Sequence, residues 1–114
     1  MVIEKHYLFS KRIPVGQFYG KEPDEVGIEL IETDGETAAR LQRGGQDSVQ
    51  MVTFFNGILP GVIKDHDYWE DDIHKWTAEE VAKHVASRAE LCLYLMSHYV
   101  EDVLFSHGKK RDGE

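Results

Sequence analysis

The last third of the chain carries the strongest apolar pattern. Apolar side chains recur there at spacings of three and four residues: Val81, Val85, Ala89, Cys92, Met96, Tyr99 and Val103. This spacing places them on one stripe of an α-helix, which must be buried. Thr77 and Glu80 form a capping-box pair at the start of the run, and Gly108 with three basic residues after it is typical of a helix end. The pattern therefore predicts one long helix over residues 77–107.

The first third alternates instead between apolar and polar positions. Two runs show this period of two: Ile3, Tyr7, Phe9, Ile13 and Val15, followed by Val26, Ile28 and Leu30. Alternation is the pattern of a half-buried strand, and the turn-rich residues 16–23 separate the two runs. We therefore predict an antiparallel hairpin, with Pro14 limiting its first strand or placing that strand at a sheet edge.

A short helix is predicted next. Thr33 and Glu36 form a second capping-box pair. The helix that they open runs over residues 34–43 and stops at Gly44 and Gly45, since glycine is common just past a helix end.

The segment that follows predicts a third strand. Residues 49–55 are rich in β-branched and aromatic side chains and are closed by an Asn-Gly pair, which favours a strand and a turn. Asp47 leaves open a helix over the same residues, because aspartate is a good N-cap. Residues 58–63 are apolar but contain a Pro-Gly pair, which predicts an irregular connection.

These elements predict an α+β domain, with a small antiparallel sheet of two or three strands, a short helix and the long C-terminal helix packed on the sheet. At 114 residues, we expect a single domain over residues 1–107 and a frayed charged tail over 108–114. A chain of this size folds without a cofactor, and we predict none. Cys92 is the only cysteine, which excludes a disulfide within the chain.

The charge is acidic overall but unevenly distributed. The net charge is −8, yet residues 1–21 carry four basic side chains against one acidic side chain, and residues 22–36 carry seven acidic side chains and no basic one. Opposed on two paired strands, such charges form favourable pairs worth about 0.2–1 kcal/mol each. The acidic total argues against general attraction to nucleic acid. Because no apolar run reaches about 18 residues and no leader pattern is present, we expect a cytoplasmic protein without a membrane partner.

Residues 65–76 combine four aspartates, two histidines and both tryptophans of the chain. Three side chains of the kind that bind divalent metals fall there at helical spacing: Asp67, Asp71 and His74. They suggest one alternative function, that of a metal-dependent hydrolase. On such a helix Trp69, Ile73 and Trp76 would form the opposite, buried face, and a solvated acidic face is the simpler interpretation of the three polar side chains.

The N-terminal segment suggests a second alternative, single-stranded nucleic acid binding. Basic and aromatic side chains are interleaved there: Lys5, Tyr7, Lys11, Arg12 and Tyr19. Rings that stack on bases and cations that bind phosphates are the usual components of such a groove. Tyr7 and Phe9, however, share a strand face with Ile13, which favours a place in the core.

The stretch FSKRIPVGQFYGKEPDEVGIEL leads directly into the predicted short helix. Over residues 4–40 the chain resembles short reading frames of unknown function carried by bacteriophages and their hosts. The resemblance implies an accessory or host-interaction protein, and it identifies no site residue. The sequence also lacks a glycine-rich phosphate loop, a G-x-S-x-G elbow and an H-E-x-x-H motif. We therefore assign no catalytic residue and favour a non-enzymatic binding or regulatory protein that acts through a protein partner.

The predicted C-terminal helix suggests that this protein is oligomeric. Its middle, LCLYLM, is apolar around most of the helix, and Leu91 and Leu95 lie off the predicted buried stripe. An exposed apolar flank is rarely left uncovered, so we predict a two-fold homodimer whose interface includes Leu91, Tyr94, Leu95 and Trp69. The alternative is that residues 58–76 fold over this flank and keep the protein monomeric.

Overall fold

The computed structural model describes residues 1, 2, 5, 7–43 and 48–105 of the chain. The strands are β1 (Ser10–Pro14), β2 (Gly27–Ile31) and β3 (Ile63–His66), and the helices are α1 (Gly35–Arg43), α2 (Ser48–Val62), α3 (Ala78–Ala86) and α4 (Ala89–His98). Short 3-10 turns lie between β1 and β2, at Gly16–Tyr19 and Pro23–Glu25, and a π-helical turn, Tyr99–Leu104, follows α4. The strands form one antiparallel sheet in the order β1-β2-β3, so the predicted α+β class is confirmed.

The predicted N-terminal hairpin is confirmed, with β1 at one edge of the sheet. Ser10 pairs with Ile31, and Pro14 pairs with Gly27. The alternating apolar side chains of this hairpin are buried: Ile13, Val15, Ile28 and Leu30. Tyr7 is 65% exposed, so its placement in the core is wrong, because the strand begins only at Ser10.

The charges on this hairpin pair differently from the prediction. Arg12 stands opposite Glu29 in the register, but its guanidinium bonds to the carboxylate of Asp67. Glu29 accepts a hydrogen bond from the Ser10 hydroxyl (2.6 Å) and forms an ion pair with Lys64 (3.7 Å). The partners therefore come largely from β3 and the residue that follows it.

The strand predicted over residues 49–55 is wrong, because α2 covers them. Phe55, Leu59 and Val62 follow one another at helical spacing and are buried. This packing outweighs the β-propensity of the segment. The Asn-Gly pair lies inside α2 and the Pro-Gly pair lies in its last turn, so residues 58–63 are not the irregular connection that was predicted.

The predicted helix starts are largely correct. At α3 the capping box is confirmed, since Glu80 N–H donates to Thr77 Oγ1 (3.1 Å) and Thr77 N–H donates to Glu80 Oε1 (2.9 Å). At α1 the capping side chain is Asp34 rather than Thr33, because Thr37 N–H donates to Asp34 Oδ1 (2.8 Å). The end of α1 at residue 43 agrees with the prediction.

The single helix predicted over residues 77–107 is wrong, because the chain breaks between α3 and α4. Arg88 has an extended backbone (φ −120°, ψ 106°). Its guanidinium donates to the carbonyl oxygen of Phe18 (3.3 Å), 70 residues earlier, and lies 5.2 Å from the centre of the Tyr19 ring. These distant contacts hold a break that no glycine or proline marks in the sequence.

The break changes which side chains α4 buries. Leu91 and Leu95 are both 0% exposed in the single chain, where α2 and α3 pack against α4. The exposed leucine flank on which the homodimer prediction depended is therefore wrong. Tyr94 is half-buried, and its hydroxyl donates to the Pro14 carbonyl oxygen (2.7 Å). Of the predicted interface residues, Trp69 alone is largely exposed, at 52%.

The core lies between the sheet and the helices. The buried members of the predicted C-terminal stripe are Val81, Val85, Cys92, Met96, Tyr99 and Val103. Ala89, at the start of α4, is exposed. Predicted features at Ile3, Gly44, Gly45, Asp47 and residues 106–114 lie outside the described residues. Among the helices of the described part of the chain, none is long and apolar enough to cross a membrane.

Candidate functional site

The segment with both tryptophans folds as an irregular two-stranded loop, which we call the tryptophan loop (residues 68–76). Trp76 N–H donates to the carbonyl oxygen of Tyr68 (3.0 Å) and closes the loop. At the tip, Asp71 Oδ1 accepts a hydrogen bond from the backbone N–H of His74 (2.9 Å). A local bond of this kind offers the backbone an alternative to a helix. The helix assumed for the metal-site prediction is therefore wrong.

His66 holds the two ends of the tryptophan loop together. Its ring is almost fully buried, Nδ1 accepts a hydrogen bond from Tyr68 N–H (3.0 Å), and Nε2 lies 2.9 Å from the Trp76 carbonyl oxygen. Because Nδ1 accepts, Nε2 carries the proton and donates, which defines a neutral ring. Burial lowers the pKa of His66, although the hydrogen bond to Trp76 acts in the opposite direction.

Beside this loop lies an open groove, which we call the aromatic groove. Its aromatic walls come from the first 3-10 turn, the tryptophan loop and α3: Tyr19, Tyr68, Trp69, Trp76 and His84. The groove consists of two adjoining hollows of about 400 and 560 Å³, and both hollows are lined by Trp69, Trp76 and His84. The ring centres of Trp76 and His84 are 5.4 Å apart, with the ring planes at 87°.

A chain of hydrogen bonds joins three of the groove side chains. The hydroxyl oxygens of Tyr68 and Tyr19 are 2.7 Å apart, and the Tyr19 hydroxyl lies 2.9 Å from His84 Nε2. Burial and the positive charge of Arg88 lower the pKa of His84, so its ring is neutral at pH 7 and its Nε2 accepts a hydrogen bond. Burial and the bond to Tyr19 raise the pKa of Tyr68. These hydrogen bonds therefore run from Tyr68 through Tyr19 to His84 and hold the groove walls in place.

In the described part of the chain, the side-chain partners of His84 differ from those of the histidine in a hydrolytic triad. Among the described residues, the His84 ring has one hydrogen-bond partner, which is the hydroxyl of Tyr19. The described part of the chain thus shows no serine, threonine or cysteine nucleophile bonded to His84, and no carboxylate that orients its ring. A phenol whose pKa is raised, as that of Tyr68 is, is also a poor proton donor to a substrate near pH 7.

The charges around the aromatic groove balance. Three lysines and three acidic side chains line it: Lys21, Lys75, Lys83, Asp67, Glu70 and Glu80. Lys75 Nζ pairs with Asp65 (2.5 Å) and lies 5.5 Å from the centre of the Trp69 ring. Asp67 bonds to the Arg12 guanidinium and accepts from Gly27 N–H (3.0 Å). The lining is formally neutral although the whole chain carries a net charge of −8.

The structure does not bring the three predicted metal ligands together. Asp71 and His74 are neighbours, since His74 Nδ1 lies 2.8 Å from Asp71 Oδ2, but Asp67 is held by Arg12 at the base of the tryptophan loop. Among the described residues, no group of three or more histidine, cysteine, aspartate or glutamate side chains is placed to hold a metal ion. The three side chains do not share one face because the segment is not helical.

The residues of the nucleic acid alternative are also dispersed. Lys11 and Arg12 are successive strand residues and so point to opposite faces of the sheet. Arg12 is occupied by Asp67 and by the carbonyl oxygen of Asp24 (2.8 Å). Tyr19 lies in the aromatic groove, while Lys5 and Tyr7 are exposed in the segment before β1. These side chains do not line one groove.

Two apolar side chains of the tryptophan loop face solvent, contrary to the prediction. Trp69 is 52% exposed and Ile73 is 78% exposed, whereas Trp76 is half-buried. Tyr68 and His84 line the groove although no sequence pattern predicted them as site residues. The density of rings around Trp69 was the one local signal of an aromatic surface, and no local signal pointed to His84.

Comparison of the chain with protein-family models, with curated proteins and with solved structures finds no match in any of the three. The geometry of the aromatic groove and of the tryptophan loop therefore carries the functional argument.

Proposed function

We propose that this is a small non-enzymatic binding protein that acts through a protein partner, with the tryptophan loop and the aromatic groove as the contact surface. The observation that carries the proposal is the exposure of two apolar side chains of the tryptophan loop: Trp69 (52%), which lines the groove, and Ile73 (78%). Tryptophan is among the side chains that contribute most to protein interfaces, particularly beside a pocket. A phage accessory or host-interaction role, which the N-terminal resemblance implies, agrees with such a surface.

Preorganisation supports the proposal. The tip of the tryptophan loop is held by Asp71, and its base is held by His66 and by the backbone bond between Trp76 and Tyr68. A partner that binds a loop already held in place loses less conformational entropy than one that must order it. The exposed Trp69 side chain thus sits on a rigid support.

A second copy of the chain is one partner that this surface accommodates. Leu91 and Leu95 are buried within the single chain and contribute nothing to such a contact. We therefore propose that a homodimer contact would use Trp69 and Ile73, the two exposed apolar side chains of the tryptophan loop. A two-fold contact between two tryptophan loops would cover the same apolar patch on both copies.

Site-specific photo-crosslinking tests the proposed function. A photoreactive phenylalanine analogue replaces Trp69 in one variant and Leu93 in the control, since both native side chains are 52% exposed. In cells that naturally express the protein, we expect a discrete crosslinked species from position 69 and none from position 93. A species at twice the chain mass identifies a homodimer. Equal crosslinking from both positions, or none from position 69 in a variant with a wild-type melting curve, contradicts the proposal.

A further inference from the structure

We propose that the aromatic groove binds a proline-rich protein segment in the polyproline II conformation. The inference rests on the proposed function and adds the chemical class of the partner. Three features of the groove carry it: its aromatic lining, its unpaired indole donors and its balanced charge.

The groove wall is made of aromatic rings that pack edge to face. The Trp76 and His84 rings meet at 87° with centres 5.4 Å apart, and the Tyr68 and His84 rings meet at 62° with centres 5.9 Å apart. Aromatic-lined grooves of this kind are one of the recurring ways in which proteins recognise proline-rich segments. The compact pyrrolidine ring packs against the exposed faces of such rings, whereas a helix presents a surface about 10 Å wide.

The two hollows of the groove adjoin. Both are lined by Trp69 and Trp76. A polyproline II segment has three residues per turn and a rise of about 3.1 Å per residue, which places every third side chain on the same edge at a spacing of roughly 9 Å. Such a segment presents successive side chains along one edge to a groove made of adjoining hollows.

The indole groups match this ligand in hydrogen bonding. Within the described residues, the Nε1–H groups of Trp69 and Trp76 donate to no protein acceptor, and no buried side-chain nitrogen or oxygen lacks a partner. The Trp76 donor is thus open to solvent, and the residue that carries the other donor, Trp69, is 52% exposed. A proline-rich segment makes no internal hydrogen bonds, so its carbonyl oxygens accept from outside. In a helical partner the backbone carbonyl oxygens already accept hydrogen bonds within the helix, so they are not available to these donors.

The charge of the groove favours a neutral ligand. Three lysines are balanced by three acidic side chains along the lining. Nucleic acid binding depends on an excess of cations that neutralise phosphates, and no such excess is present among the described lining residues. An oligoproline stretch carries no charge and meets no repulsion here, even though the whole chain is acidic.

The test follows the two indole N–H signals in nitrogen-proton NMR spectra of the full chain, which contains two tryptophans. The probe is an oligoproline peptide with blocked ends, and the control is a glycine-serine peptide of the same length. We expect saturable shifts of both indole signals with oligoproline and none with the control. Trp69→Phe keeps a ring but removes the donor, so it should weaken binding by about two- to tenfold, whereas Leu93→Ala should leave binding unchanged.

Several outcomes would overturn the inference. One is the absence of indole shifts up to roughly millimolar oligoproline, where even weak peptide binding is detected. A second is equal shifts with the glycine-serine peptide, and a third is a response to oligothymidylate in place of oligoproline. A fourth is shifts that depend on protein concentration without any peptide, which indicate a second copy of the chain in the groove. If crosslinking at position 69 succeeds while oligoproline fails, the proposed function stands and the partner class is wrong.

Discussion

His66 is the residue whose replacement tests the architecture of the candidate site most directly. Its buried ring accepts from Tyr68 N–H and donates to the Trp76 carbonyl oxygen, so one side chain joins both ends of the tryptophan loop. His66→Phe retains an aromatic ring of similar shape but removes both nitrogens. The variant therefore isolates the two hydrogen bonds from the packing of the ring.

The expected magnitude follows from the groups that lose their partners. A buried polar group left without a hydrogen bond costs about 1–3 kcal/mol. Tyr68 is buried and Trp76 is half-buried, so we expect His66→Phe to lower the free energy of unfolding by about 2–4 kcal/mol. This is a large part of the roughly 5–15 kcal/mol of a typical domain. With a denaturant slope of about 2 kcal/mol per molar urea, the midpoint should fall by roughly 1–2 M.

The pH dependence has a defined sign. Burial lowers the pKa of His66 below its ordinary value of 6.5. The unfolded chain therefore binds this proton at a higher pH than the folded chain does. The stabilising contribution of neutral His66 is complete above about pH 6.5 and is lost as the pH falls through the folded-state pKa. In His66→Phe this part of the acid destabilisation should disappear. His84, whose pKa burial also lowers, contributes a slope of the same sign that remains in the variant.

Urea unfolding followed by circular dichroism at about pH 7.5 and pH 5.5 measures both effects, since these values bracket the ordinary histidine pKa. The matched control is His74→Phe, because the His74 side chain lies in the same loop but is 64% exposed. We expect the control to change the midpoint far less than His66→Phe does. Two results would refute the role of His66 in holding the base of the loop. One is an unchanged unfolding midpoint for His66→Phe at the higher pH, and the other is a midpoint that depends on pH as steeply as that of the wild type.

Two further predictions concern the fold. Leu91→Ala should lower the free energy of unfolding by about 2–5 kcal/mol, because Leu91 is 0% exposed in the single chain. The mass of the Leu91→Ala variant in sedimentation equilibrium should equal that of the wild type. If the variant loses a dimer while remaining as stable as the wild type, Leu91 is not buried within the single chain. Thr77→Ala should lower stability by about 1 kcal/mol through loss of the α3 cap, while Thr77→Ser retains the hydroxyl and most of the stability. Equal melting temperatures for the two Thr77 variants would contradict the capping role.

Interactions that span only a few residues could be predicted from the sequence. The capping box of Thr77 and Glu80 involves groups within one helical turn, so it forms wherever that turn forms. The hairpin of β1 and β2 follows from an alternation that has one buried solution, with Ile13 opposite Ile28. The α+β class follows from these same local patterns, because each requires a partner surface for its apolar face.

Local propensity failed where tertiary packing supplied the larger free energy. The side chains of residues 49–55 favour a strand, but Phe55 and Leu59 are fully buried only when the segment is helical. Each buried apolar side chain contributes about 1.5–3 kcal/mol, which exceeds the span of about 1 kcal/mol in β-propensity.

The tertiary structure alone decided the helix break and the candidate site. Arg88 interrupts the C-terminal helix through contacts with Phe18 and Tyr19, and the break permits Leu91 to be buried without a second chain. The hydrogen-bonded chain from Tyr68 through Tyr19 to His84 joins residues up to 65 positions apart. No sequence period relates such positions, because their proximity depends on how the sheet, the tryptophan loop and α3 pack together. The sequence determined the hairpin, the capped helix starts and most of the buried apolar positions, because these depend on local spacing, and packing determined the helix break and which aromatic side chains line the groove.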